Sequence, residues 1–218
     1  MIFNLVAILF VVAFIAIGTK KGFLRELMAI IGLCTGLVIT TGKLDFVAVE
    51  VAGAIDASPL AVAIIAYVLV LGLIYAIFKI LARIITKLVS VQSLGQQDKY
   101  GGAVIGAIRG WLIVGAVLFV AILLPLPRGF YTLMEQSVLA KTAAKTVQFV
   151  YDTSKPIHKQ WPPFLAKVEN TLTTKPKSDS DYDSQRKPRS PEARLRDELA
   201  LRAALDKVNF FYGEAEQF

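Results

Sequence analysis

Four apolar stretches dominate this chain: Ile2 to Gly18, Phe23 to Thr41, Leu60 to Phe78 and Gly101 to Leu124. Each is far longer than the core helix of a water-soluble domain needs, and crossing a bilayer's hydrocarbon takes roughly 20 apolar residues. The first and third carry no charge, the second opens on Arg25 and Glu26, and the fourth contains Arg109. Pro125 and Pro127 end the fourth, because proline cannot continue the helical hydrogen-bond ladder. With 55% of its 218 residues hydrophobic, the chain is expected to be an all-α membrane protein with four transmembrane helices, a surface amphipathic helix and a flexible C-terminal tail. The first stretch reads as an uncleaved helix rather than a signal peptide, since Lys20 and Lys21 follow the apolar run and no charged side chain precedes it.

Inside the fourth stretch, Gly102, Gly106 and Gly110 repeat every four residues. Small residues at that spacing share one helix face and let a second backbone approach closely. Gly22, Gly32 and Gly36 are read as packing positions on the same grounds. Arg109 sits within the glycine stripe. Trp111 to Leu124 alone is too short to span, which draws Arg109 into the membrane, where a guanidinium is costly unless paired or wetted. Arg25, Glu26 and Asp98 are expected on the same side, and either carboxylate is a natural partner. Arg109 is thus read as half of a structural ion pair, as a polar site for binding or transport, or as an interfacial side chain snorkelling to the headgroups.

Charge sets the expected orientation. The loops around Lys20, Lys21 and Arg25 and around Lys79, Arg83, Lys87 and Lys99 are basic, whereas the loop holding Lys43, Asp45, Glu50 and Asp56 is poor in base. Basic loops stay in the cytoplasm, so both chain ends are expected on the outer, periplasmic side. Lys79, Arg83 and Lys87 share a face of a helix continuing past the third span, suited to lipid headgroups or to an acidic partner. The net charge of +7 sits beside membrane helices, so anionic lipid, not nucleic acid, is its expected partner. No cofactor or metal is expected. Cys34 reads as a small apolar side chain, and His158, the one histidine, has no metal-ligand spacing around it. Ser137, Asp152 and His158 lack the nucleophile elbow that a hydrolytic triad needs, so no catalytic residue is assigned.

After the fourth span, Tyr131 to Tyr151 is amphipathic at helical spacing but too polar to cross, and is expected to lie along the outer surface with its lysines toward lipid heads. Pro156, Trp161, Pro162 and Pro163 then break regular structure. The organisation is a four-helix membrane domain over 1–128, an amphipathic region over 129–172, a disordered linker over 173–190, and a charged helix with an aromatic C-terminus over 191–218. Ser190, Pro191 and Glu192 form a helix start. Leu195, Leu199, Ala203 and Leu205 offer it a weak apolar stripe, and Phe210, Phe211, Tyr212 and Phe218 suit a docking tail or a tail folded back on its own membrane domain.

Two segments carry a family resemblance. One runs from Gly18 to Glu26 and includes Gly22, Phe23 and Arg25, with Gly32 following. The other runs from Leu94 to Gly110 and includes Gly95, Asp98, Lys99, Gly102, Gly106 and Arg109. Together with the four spans they resemble the CvpA (colicin V production protein) family of bacterial inner-membrane proteins. The resemblance covers about Met1 to Phe164; Lys99 stands where the family often has arginine, and the tail beyond Thr173 has no counterpart. It implies a role in colicin V toxin export or envelope maintenance, without a settled molecular activity. The expected function is a non-enzymatic scaffold or accessory factor acting through a secretion or envelope protein bound to the tail. The alternative is a small transporter or channel built from homo-oligomerised bundles, with a polar site at Arg109.

Overall fold

The computed structural model describes residues 2–55, 57–88, 95–173 and 190–213. All eight of the elements it describes are helices: α1 (Ile2–Lys21), α2 (Phe23–Ala54), α3 (Pro59–Leu88), α4 (Gln96–Leu123), α5 (Arg128–Glu135), α6 (Val138–Thr153), α7 (Phe164–Thr173) and α8 (Pro191–Tyr212). The first four are long and apolar enough to cross a membrane. The protein is an all-α membrane protein, as its apolar runs predict.

Two antiparallel pairs build the bundle. Gly18 of α1 meets Gly102 of α4, and Phe14 meets Gly106 and Gly110, so the end of α1 lies beside the start of α4. Gly32 and Gly36 of α2 receive Phe78, Leu71 and Ile74 of α3. α2 then packs on α4, whereas α3 and α4 barely touch. The basic ends of α1 and α3 and the start of α4 therefore gather at one end of the bundle. The helices run longer than the apolar stretches. α2 alone covers 32 residues, roughly 48 Å against a hydrocarbon core of about 30 Å.

The remaining helices cap the opposite end. Ser137 caps α6 by accepting from the Ala140 amide and donates to Asn4 of α1 at 2.5 Å. Lys167 of α7 binds Asp45 of α2 at 2.9 Å, and Trp161 lies against Gly42. Phe119 of α4, fully buried, joins the two halves: its ring lies 5.0 Å from Tyr67, 5.6 Å from Phe164 and 6.0 Å from Tyr212.

Three expectations need revision. The stretch from Tyr131 to Tyr151 is two helices, broken at Gln136, because the Ser137 side chain caps a new start. α6 does not simply rest on lipid. Its small face, Ala140, Ala143 and Ala144, is buried, and Gly115 lets the Ala143 carbonyl against α4 well inside that span. α8 begins as expected, with Ser190 accepting from the Ala193 amide, but docks through Ala204, Val208, Phe211 and Tyr212. Leu195 and Leu199, assigned to its apolar stripe, face outward at 58% and 57% exposure. The expected linker, apart from Thr173 at the end of α7 and Ser190, and the position of Phe218 lie outside the described residues.

Candidate functional site: a buried ion pair at the basic end

The turn between α1 and α2 is made by Gly22, whose φ of 83° suits glycine alone among common residues. It makes this turn and also packs, its backbone lying against Gly102 of α4, and a side chain there would strike the Asp98 carboxylate. That carboxylate accepts from the Phe23 amide at 2.8 Å. Asp98, from the first turn of α4, thus supplies the side-chain cap that Gly22, the N-cap residue of α2, cannot, and its negative charge suits the positive end of the helix dipole.

With Asp98 so engaged, Glu26 is the partner of Arg109. The Arg109 Nη1 group donates to Glu26 Oε2 between α4 and α2. Both side chains are buried, Glu26 at 0% and Arg109 at 3% exposure. Lys21 Nζ lies 3.8 Å from the other Glu26 oxygen, and the Arg109 guanidinium stacks over the Phe14 ring at 4.7 Å. Buried charges persist in a low-dielectric interior when they are paired in this way. Arg109 Nε and Glu26 Oε1 have no hydrogen-bond partner among the described residues.

Arg25, one residue before Glu26, points elsewhere: its Nε donates to Thr86 Oγ1 of α3 at 3.4 Å, in an exposed setting. The four polar positions expected on one side therefore lie at one end of the bundle, in three separate roles: pairing, capping and bridging to α3. Lys21, Lys79 and Arg83 join Arg25, Glu26 and Arg109 around one pocket of about 240 Å³. The face of Lys79 and Arg83, read from its four-residue spacing as suited to lipid headgroups or to an acidic partner, is turned toward Lys21 and Arg25 by the antiparallel α2–α3 pairing. Gly18 and Gly115 were likewise missed as packing positions, although each is a small residue on an apolar helix.

Ser137 and His158 stand at opposite ends of α6. His158 contacts Ser154 at 2.8 Å and the Tyr151 carbonyl at 3.1 Å, stacks on Trp161, and belongs to the cap's packing. Burial pushes the Tyr151 phenol up to about 12, so it stays a hydrogen-bond donor, and it donates to the Pro162 carbonyl at 3.2 Å. Among the described residues no group of three or more histidine, cysteine or acidic side chains could hold a metal ion.

A turn glycine capped across helices, a glycine-lined α1–α4 seam and a buried arginine at its start all fall within one matched region. The family model described as Colicin V production protein matches residues 3–148, well over half of the chain. The chain belongs to the colicin V production protein family. No curated protein and no solved structure matches it. The matched region contains all four spans and both motif segments and ends inside α6. The colicin V production domain of this chain is thus the bundle with most of α6, and α7 and α8 lie beyond it.

Proposed function

We propose that this colicin V production family member is a non-enzymatic protein of the bacterial inner membrane that supports toxin export or envelope maintenance by holding a protein partner. The basic end faces the cytoplasm, following the positive-inside rule, and the capped end with α8 faces the periplasm. One observation carries the reading. α8 is anchored through its second half, by Phe211 and Tyr212, while Leu199 and Phe210 remain exposed. Those two lie eleven residues apart, about three helical turns, and so share a face. An anchored helix with exposed apolar side chains on one face suits an incoming helix or groove.

The test is the pair of substitutions Leu195→Asp and Leu199→Asp. They touch exposed positions only, so membrane level and melting temperature should stay unchanged while the export or envelope phenotype is lost. Full function in that variant contradicts the reading. Full function there, together with a flux abolished by Arg109→Leu, would install the small oligomeric carrier or channel in its place.

A further inference from the structure

Five cationic side chains converge at the basic end. Lys21, Arg25, Lys79, Arg83 and Arg109 line the pocket of about 240 Å³, and Glu26 is the one carboxylate among the lining residues. Glu26 is already committed to Arg109. Lys21 lies 3.8 Å from the second Glu26 oxygen, and Arg25, Lys79 and Arg83 are left facing the same space, an arrangement that an entering anion would stabilise. Arg109 lines that space, and its buried Nε has no hydrogen-bond partner among the described residues. The pocket opens outward, since the Lys21 side chain is 42% exposed.

Directly below lies a second cavity of about 460 Å³ with an entirely apolar lining. It occupies the gap where α3 and α4 fail to meet, between Leu71 and Val68 on one side and Ile113, Val117 and Val120 on the other. Tyr75 lines both cavities. The walls descend in register: Arg109 gives way to Ile113 and Val117 on α4, and Lys79 to Tyr75 and Leu71 on α3. From Arg109 to Leu124 the groove follows α4 for roughly 22 Å, more than one leaflet's share, about 15 Å, of the hydrocarbon core. Gly72 lies in its wall with nothing near its Cα where a side chain would stand.

We propose that this pocket and groove together form a binding site for one anionic phospholipid. Its phosphate sits among Lys21, Arg25, Lys79 and Arg83 within reach of the Arg109 Nε proton, and an acyl chain lies along the α3–α4 groove. Cationic side chains supply charge-assisted hydrogen bonds to phosphate oxygens. The apolar groove supplies what a free phosphate or an acidic peptide could not use. The site is independent of any partner bound by α8.

The experiment is native mass spectrometry and thermal melting of the full chain in mild detergent, with phosphatidylglycerol, phosphatidylcholine, glycerol phosphate and a poly-glutamate peptide as separate probes. The expected result is retention of phosphatidylglycerol over phosphatidylcholine and a melting temperature raised by phosphatidylglycerol alone. Each basic side chain near an anionic lipid contributes about fivefold, so Lys79→Gln with Arg83→Gln should weaken retention roughly 25-fold. Gly72→Leu fills the groove without touching the charges and should weaken phosphatidylglycerol as well. Three results would overturn the proposal: equal retention of the two lipids, glycerol phosphate or poly-glutamate stabilising as well as the lipid, or retention untouched by Gly72→Leu.

Discussion

Arg109 donates to Glu26 across the contact between α4 and α2, with both side chains buried. Their burial makes the bond conditional on both partners. An intact buried pair adds little net stability, since desolvation offsets much of the attraction, but removing one partner strands a charge at a cost of roughly 3–5 kcal/mol. Glu26→Arg and Arg109→Glu should therefore each lower the melting temperature of the detergent-solubilised protein sharply. The double reversal should recover part of the loss. A double variant as unstable as either single one would show that the pair is not what these side chains contribute.

Asp98 caps a helix to which it does not belong. Asp98→Ala should destabilise by about 1 kcal/mol, within the range measured for N-caps. Asp98→Asn keeps the acceptor and should lose less. Hydrogen exchange at the first turn of α2 is the measurement, and faster exchange confined to that turn in the alanine variant is the expected outcome.

Gly106 admits the Phe14 carbonyl, with Gly18 beside it. A side chain at Gly106 would meet backbone, which cannot swing aside as a flexible side chain can. Gly106→Leu should separate α1 from α4 and destabilise by at least the 1–3 kcal/mol typical of overpacking. Disulfide trapping between cysteines placed at Thr19 and Ala103 reads the separation, and unchanged trapping in the variant would contradict the close seam.

Tyr212 anchors α8: it is buried among Phe119 and Phe164, and its hydroxyl donates to the Ala144 carbonyl at 3.3 Å. Tyr212→Ala should cost about 3–5 kcal/mol of local packing, enough to free α8. Tyr212→Phe, which loses only the hydrogen bond, should cost about 1 kcal/mol. Limited proteolysis should cut α8 rapidly in the alanine variant and slowly in the phenylalanine one.

Much of the bundle was legible because lipid imposes simple rules. Length and apolarity locate four spans, and the glycines at 102, 106 and 110 mark a close seam, though they do not say that α1 fills it. The pairing of Arg109 was legible only as a choice between Glu26 and Asp98. Gly22 decides it, because its turn brings Asp98 to the open end of α2. The small residues of α6 were harder to interpret. Ala140, Ala143 and Ala144 are neutral in an amphipathic reading, and their packing against Gly115 is a tertiary contact that no local pattern announces. The same holds for α8, where Leu195 and Leu199 are more apolar than Ala204 but face away, since Phe211 and Tyr212 decide which side docks.

The most direct test of the proposed function is photo-crosslinking in living cells from a reactive amino acid placed at Leu199, with one at the buried Val208 as control. A stoichiometric adduct from position 199 with a secretion or envelope protein, absent from position 208 and lost in Leu195→Asp, is the predicted result. Adducts with lipid or with further copies of this chain only, from either position, would contradict an accessory role carried by α8.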